Sequence, residues 1–169
     1  MLTLSSISGI LFTDEVINLS ADFKKGGIVM RLWHWKLLPF LPKSQLLSQK
    51  RECDLIWKDL ANGKQTNHIL INYIWEYENY EYELAMYYIK LNREFTNRNY
   101  EFNFSKNYKT RYLYNDKYVP FKYHHTDNYL IQCYYNLEEK YIRKQKDFDS
   151  NRLFDMATFI EKEIGKELL

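Results

Sequence analysis

Cysteine is scarce in this chain, glycine-rich motifs are missing and no apolar run is long, so several classes of protein are excluded. The two cysteines among 169 residues, Cys53 and Cys133, are isolated and predict buried thiols rather than a disulfide. These cysteines and the four histidines match no standard zinc spacing, and we expect neither a metal nor a cofactor. No run approaches the roughly 20 apolar residues of a membrane-spanning helix. Nucleotide-binding glycine loops and the nucleophile elbow of hydrolases are also lacking. The length suits one domain, and isolated cysteines in a chain without a secretory signal indicate a reducing cytoplasm, so we expect a monomeric, cytoplasmic protein.

Charge is nearly balanced, whereas aromatic residues are abundant. The chain carries 24 basic and 22 acidic residues, a net charge of +2, which permits binding to nucleic acid without requiring it. Aromatic residues make up 18% of the chain, including 16 Tyr and 10 Phe. The codons of an AT-rich genome explain most of that bias. Stacking on bases would require aromatic residues interleaved with basic ones, and only residues 97–122 have that pattern.

Residues 24–30 indicate that the natural chain starts at Met30. Lys24-Lys25-Gly26-Gly27 can be encoded by adenine-rich codons followed by GGAGG, two codons before a start codon, as in a bacterial ribosome-binding site. We therefore expect residues 1–29 to be upstream DNA read as protein. The alternatives are a disordered N-terminal arm or a targeting segment, although the latter lacks a basic beginning and a small-residue cleavage site. Without residues 1–29, 22 basic residues stand against 19 acidic ones.

Apolar periodicity predicts an all-α fold, a compact single-domain bundle of three to four helices. The clearest helix extends from Lys43 to Ala61 and is followed by the helix-stopping pair Asn62-Gly63. Its apolar arc comprises Leu46, Leu47, Cys53, Ile56, Trp57 and Leu60. Glu52 lies at the edge of that arc, and Arg51 points about 100° away from it.

The remaining elements follow from caps and periodicity. Helices are predicted over 80–96 after an Asn79 cap, over 126–144 after a Thr126 cap, and over 151–168, whereas 69–77 fits either a short strand or the start of a helix. His124 and His125 precede the Thr126 cap, and we expect both at the surface. Residues 30–145 thus form the main helical domain, and 146–169 supply a C-terminal helix that packs on or beside it.

Residues 97–122 are predicted to be a long, irregular connection. Basic side chains such as Lys109 and Arg111 alternate there with aromatic residues, among them Tyr100, Phe102, Phe104, Tyr108, Tyr112, Tyr114 and Tyr118. Contact with nucleic acid fits this pattern, and so does a solvated loop whose aromatic residues cover the core. The pattern alone leaves both interpretations open.

Two stretches resemble the pyrimidine-dimer DNA glycosylases, the family of the phage endonuclease V. They are residues 30–39, which read Met-Arg-Leu-Trp-His-Trp-Lys-Leu-Leu-Pro, and residues 45–53, which include Arg51-Glu52. The resemblance continues thinly to residue 142 and does not cover residues 1–29. It implies a small all-α DNA-repair enzyme that breaks the glycosidic bond of a damaged base with its N-terminal amine. Such an enzyme then cleaves the backbone by β-elimination and needs no metal.

By position, the resemblance assigns the nucleophile to the α-amine of Met30, proton transfer at the sugar to Glu52, and DNA contacts to Arg31 and Arg51. An α-amine suits this chemistry because its pKa of about 7.7–8.0 leaves it partly unprotonated at neutral pH. A nearby cation lowers that pKa, whereas an ionised carboxylate raises it. Damaged duplex DNA is the expected partner. The DNA-binding surface would extend over Lys36, Lys64, Lys109 and Arg111.

Departures from the phage enzyme leave the substrate class open. Arg31 is too large for removal of the preceding methionine, so Met30 itself would be terminal. Leu55 and Ile56 stand where the phage enzyme has a basic residue, and Gln45 replaces a histidine. A dimer-specific glycosylase, an abasic-site lyase and a non-catalytic nucleic-acid-binding or interaction module all fit. A further interpretation is a hydrolase that uses Glu52 with a histidine. If residues 1–29 are retained, Lys36 is the nearest substitute amine.

Overall fold

The computed structural model describes residues 30–108, 112, 115–145, 147–165 and 167–168. An extended segment, residues 30–34, leads into a 3₁₀ helix at Trp35–Phe40. The α helices are α1 (Lys43–Ala61), α2 (Tyr80–Asn97), α3 (Asp127–Ile142) and α4 (Ser150–Ile164), with a second 3₁₀ helix at Asn72–Glu76 before α2. No strand occurs within the described ranges, so the prediction of an all-α fold with up to four helices is confirmed. In the same ranges, no helix combines the length and apolarity needed to cross a bilayer.

Helix α1 has the predicted bounds, and its C-terminal stop is built as predicted. Gly63 adopts a left-handed backbone with φ of 69°, and the following amide of Lys64 donates to the Asp59 carbonyl oxygen. The predicted apolar arc is buried except at Leu47, which is 39% exposed, and Leu60, which is partly exposed. The prediction for Leu47 is wrong because this residue lies about 100° around the helix from Leu46, outside the buried arc.

Helix α2 forms the centre of the molecule. Its predicted face is fully buried, and the burial is continuous from residue 83 to residue 88. The helix contacts α1 and both 3₁₀ helices, while α4 packs on α3 and on the first 3₁₀ helix. Asn79 precedes the first turn as predicted, but its side chain makes no capping hydrogen bond. The core therefore surrounds α2, and α1 is held against it.

The later elements differ from the prediction mainly at their ends. Residues 69–77, which fitted a strand or a helix start, form turns and the second 3₁₀ helix. Thr126 caps α3 as predicted, with its hydroxyl accepting from the Tyr129 amide. Helix α3 ends two residues before the predicted Lys144. Helix α4 ends at Ile164 because Gly165 adopts a left-handed conformation with φ of 65°.

The connection after α2 packs back onto the core over most of its described length. Phe102 and Tyr108 contact the ring of Tyr88 on α2, with ring centroids 5.1 and 5.4 Å apart. Tyr108 also meets the edge of Trp57 on α1 at 5.3 Å. Tyr114 lies outside the described residues. The aromatic residues that are described thus support the interpretation in which they cover the core.

Candidate functional site

The extended segment at residues 30–34 is held by side chains from three helices. Extended backbone has no hydrogen bonds of its own, so each buried N–H and C=O needs a partner. The Arg31 amide donates to Glu52, and the Arg31 carbonyl accepts from Gln49. The Leu32 carbonyl accepts from the Tyr129 hydroxyl. The Trp33 amide donates to Gln49, and the Trp33 carbonyl accepts from the Tyr87 hydroxyl. The segment is therefore fixed in position with respect to α1, α2 and α3.

Gln49 lies at the centre of these contacts and is only 1% exposed. Its Nε2 donates to the Arg31 carbonyl oxygen at 2.6 Å and to Glu52 Oε2 at 2.8 Å. Its Oε1 accepts from the Trp33 amide at 2.8 Å and from the Tyr87 hydroxyl at 2.7 Å, whose single proton is shared with the Trp33 carbonyl oxygen. Two donated and two accepted bonds use the full capacity of a carboxamide.

Glu52 carries the perturbed carboxyl group of the site. Its Oε2 accepts from the Arg31 amide at 3.1 Å and from Gln49. Burial raises the pKa of Glu52 to about 7, against the two hydrogen bonds and the positive charges of Lys140 and Arg31, which lower it. A carboxyl group with this pKa is present in both protonation states at neutral pH. It can therefore donate a proton in one step and accept one in another.

Met30 lies beside this carboxyl group and is 7% exposed. Its α-nitrogen is separated from the Arg31 nitrogen by only two backbone atoms. Because the Arg31 amide bonds directly to Glu52, the Met30 α-nitrogen lies within about 7 Å of the carboxyl group by standard backbone geometry. The two residues assigned to catalysis by position, Met30 and Glu52, are thus brought together.

Arg31 and Lys140 supply positive charge at the site. The Arg31 guanidinium lies 5.3 Å from the centre of the Trp33 ring, a cation–π arrangement that leaves it half-buried. Burial lowers the pKa of Lys140 on α3, and the charge of Arg31 lowers it further, whereas Glu52 raises it. Lys140 therefore belongs to the same electrostatic environment as Arg31 and Glu52. It was not among the residues predicted from the sequence.

The other predicted DNA contacts are more dispersed. Arg51 is exposed, as predicted, and its guanidinium donates to Ser48 Oγ at 3.0 Å. Lys36 forms an ion pair with Glu163 of α4. Lys64 is exposed just after α1. Lys109 and Arg111 lie outside the described residues.

His125 is buried, at 5% exposed, and the prediction that it lies at the surface is wrong. Its Nδ1 accepts from the Trp35 amide, which requires the proton on Nε2, and Nε2 is 2.9 Å from the Tyr73 hydroxyl oxygen. His34 donates from Nε2 to the His125 carbonyl oxygen and accepts at Nδ1 from the Lys36 amide.

Both imidazoles are therefore structural and neutral. Burial lowers the pKa of His34 to about 4 and holds that of His125 well below its usual value. Neither ring has a free nitrogen, which counts against a hydrolase that pairs Glu52 with one of them. Among the described residues, no group of three His, Cys, Asp or Glu side chains is arranged to hold a metal.

Sequence reasoning missed Gln49, Tyr87, Tyr129 and Lys140. A signal existed for Gln49, because a polar residue at the centre of an apolar arc must find buried partners. Tyr87 was predicted to be buried, but its periodicity does not reveal that its hydroxyl reaches Gln49 and the Trp33 carbonyl. Lys140 carries no local signal, since it follows two glutamates on a helix flank.

Residues 30–108 match the family model described as pyrimidine dimer DNA glycosylase, and this segment is a domain of that family. The description of that model names DNA glycosylases that act on pyrimidine dimers. The match begins at Met30, the first residue of the extended segment, and includes both Gln49 and Glu52. No curated protein and no solved structure shows a significant match to the chain.

Proposed function

We propose that this protein, whose residues 30–108 form a pyrimidine dimer DNA glycosylase domain, is a base-excision glycosylase and abasic-site lyase that acts through the α-amine of Met30. The observation that carries the proposal is the contact between the Arg31 amide and Glu52 Oε2, which brings the Met30 nitrogen close to a titratable carboxyl group. The route requires a chain that starts at Met30, because a preceding peptide bond would turn the amine into an unreactive amide.

In the first step, the Met30 amine displaces the damaged base from the sugar. The unprotonated amine of Met30 attacks C1′ of the sugar, the C1′–N bond to the base breaks, and the bonding pair leaves with the base. The attacking nitrogen then loses one proton, which the departing base takes up. Arg31, whose side chain is half-buried beside this position, favours the unprotonated amine through its charge.

The second step uses Glu52 as acid and then as base. Protonated Glu52 donates to O4′, the C1′–O4′ bond breaks, and the amine nitrogen forms a cationic imine with C1′. The resulting carboxylate removes a proton from C2′, and the electron pair expels the 3′ phosphate oxygen by β-elimination. Water then hydrolyses the imine and releases the amine. A pKa of about 7 suits Glu52 for both transfers.

The positive side chains provide the DNA contacts in this proposal. Arg31 and Arg51 bind backbone phosphates next to the lesion, and Lys36, Lys64, Lys109 and Arg111 extend the surface. Such contacts give affinity that falls with salt. A damaged base that is already poorly stacked costs less to unstack, which gives part of the selectivity.

Borohydride trapping tests the nucleophile. Protein that starts at Met30 is incubated with duplex DNA carrying an abasic site, borohydride is added, and the digest is analysed by mass spectrometry. The proposal expects a reduced adduct on the Met30 peptide and none on that peptide when the chain starts at Met1. An adduct on a lysine would contradict Met30 as the nucleophile.

Glu52→Gln separates the enzyme from a non-catalytic binding module. In the enzyme, the substitution lowers the rate of strand cleavage by about 10²–10⁴-fold and leaves affinity for abasic DNA within a few-fold. Glu101→Gln, at an exposed position after α2, is the matched control and is expected to cleave normally. Salt-dependent DNA binding with no cleavage by any form would instead support the binding module.

A further inference from the structure

Gln49 has no role in the chemistry above, yet it contacts the Glu52 carboxyl group and the backbone carbonyl of Arg31, the residue that follows Met30. We propose that Gln49 is the positioning residue of this site. Its carboxamide orients the Glu52 carboxyl group so that Glu52 Oε2 accepts from the Gln49 and Arg31 N–H groups. Glu52 Oε1 then exchanges protons with the substrate. It also ties the Arg31 peptide, and with it the Met30 nitrogen, to the same carboxyl group. This inference rests on the proposed function for its catalytic part, but its structural part can be tested without activity.

The orientation of the Gln49 carboxamide follows from its partners. The Trp33 amide can only donate and the Arg31 carbonyl can only accept, so Oε1 must face Trp33 and Nε2 must face Arg31. The remaining Nε2 proton then points at Glu52 Oε2. Tyr87 completes the arrangement by donating to Oε1 from α2. A rotated amide would place Nε2 against the Trp33 amide, donor against donor.

The same contacts decide which oxygen of Glu52 carries the proton. Oε2 already accepts from the Arg31 amide and from Gln49, so a proton on Oε2 would face two other protons. Oε1 has no hydrogen-bond partner among the described side chains and backbone groups. The proton of the neutral carboxyl group therefore resides on Oε1, the oxygen that remains available to the sugar.

The groups that face Glu52 come from every neighbouring element. Arg31 lies on the extended segment and Lys140 on α3, and both lower the pKa of Glu52. Cys53 on α1 and Tyr87 on α2 are buried groups whose own pKa values are raised well above normal, partly by Glu52, so both stay neutral near pH 7. Removal of Gln49 thus changes one hydrogen bond to Glu52 and leaves the surrounding charges in place.

Carbon-13 NMR of the glutamate carboxyl groups in the full chain tests the structural part. Because the Gln49 bond favours the charged form, Gln49→Leu is expected to raise the titration midpoint of Glu52 by about half a pH unit or more. Gln132→Leu, the same substitution at an exposed position on α3, is the control and should leave the midpoint unchanged. An unchanged midpoint in folded Gln49→Leu would overturn the proposal.

Gln49→Glu covers the case in which the leucine variant does not fold. It keeps Oε1 for the Trp33 amide and Tyr87 but places a second carboxyl group against Glu52, so the pair should titrate in two separated steps. A single unshifted Glu52 titration in that variant would also overturn the proposal.

The lyase pH profile tests the catalytic part. In Gln49→Leu, the rise of kcat with pH should move upward together with the NMR midpoint, and the yield of borohydride adduct should fall. A changed kcat with an unmoved pH profile would overturn the positioning role. A moved NMR midpoint in protein that never forms an adduct would refute the proposed function and leave the Gln49–Glu52 contact intact.

Discussion

Glu52 shows at the scale of one residue how burial adapts an ordinary side chain. An exposed glutamate is ionised at neutral pH, but the burial of Glu52 raises its pKa to about 7 in spite of two hydrogen bonds and two nearby cations. The charged form is therefore less favourable in the folded protein than in the unfolded chain. Burial of Glu52 therefore lowers the free energy of unfolding at pH values at which its carboxyl group is ionised, and this loss can be measured.

Glu52→Gln should change the pH dependence of stability. The pKa of Glu52 is higher in the folded protein than in the unfolded chain. Its contribution to the free energy of unfolding is therefore complete below about pH 4.5 and is lost as the pH rises through about 7. The difference in free energy of unfolding between Glu52→Gln and the natural protein should therefore shift in favour of the variant, by on the order of 2 kcal/mol, when the pH is raised from 5 to 8. Urea unfolding at both pH values measures the difference. A constant difference would show that Glu52 titrates normally.

At the scale of elements, arginine side chains close the first 3₁₀ helix. Arg98, just after α2, donates to the carbonyl oxygens of Leu38, Pro39 and Leu41, and its Nε pairs with Glu94. Arg152 of α4 reaches the Phe40 and Leu41 carbonyls from the other side. Arg98 belonged to the basic segment for which DNA contact was one interpretation. Its guanidinium is instead committed to the turn that joins the extended segment to α1.

Arg98→Met should lower the free energy of unfolding by about 3 kcal/mol, because it leaves the mostly buried Glu94 carboxylate without its ion-pair partner and removes one donor from each of three carbonyl groups. The matched control is Arg93→Met, which removes an exposed ion pair with Asp116 and should cost less than about 1 kcal/mol. Chemical denaturation measures both. Equal losses would contradict the assigned role of Arg98.

Gly63→Ala should lower the free energy of unfolding by about 1 kcal/mol. The added Cβ would meet no atom within 4 Å, so the loss arises from the left-handed backbone alone. Asn tolerates that conformation better, and Gly63→Asn should recover part of the loss. Thermal unfolding of the two variants provides the comparison. An alanine variant as stable as the natural protein would show that the end of α1 relaxes.

At the scale of the whole molecule, buried polar groups join the parts of the fold. The Tyr87 hydroxyl on α2 lies 2.7 Å from Gln49 Oε1 on α1 and 2.9 Å from the Trp33 carbonyl oxygen. Tyr129 on α3 donates to the Leu32 carbonyl oxygen at 2.7 Å. Three helices thus converge on the segment that begins at Met30, and the position of its nitrogen depends on the packing of all three.

Tyr87→Phe should cost about 1–2 kcal/mol of stability, since it removes one buried hydroxyl and leaves the Trp33 carbonyl oxygen without its partner. Tyr135→Phe, at a position 48% exposed on α3, is the control and should change stability by less than about 0.5 kcal/mol. Urea unfolding measures both. If Tyr87→Phe behaves like the control, Tyr87 contributes packing only.

The sequence alone determined the helices and predicted Met30 and Glu52 as the catalytic pair. Helical periodicity is local, so the bounds of α1 and the buried faces of α2 and α3 could be predicted from residues three and four apart. The resemblance placed Met30 beside Glu52 in function before their positions were known. The errors were the ends of α3 and α4, the burial of Leu47 and the exposure of His125.

Only the tertiary structure decided how the site is held. The hydrogen bonds that fix the extended segment join residues between 16 and 97 positions apart, from Trp33–Gln49 to Leu32–Tyr129. Such partners are chosen by the packing of helices, which no periodicity encodes. The pKa of Glu52, the presence of Lys140 beside it and the commitment of Arg98 to backbone carbonyls all depend on that packing. The sequence therefore predicted Met30 and Glu52 as the reacting groups, which stays a prediction, and the fold determines their geometry and charge.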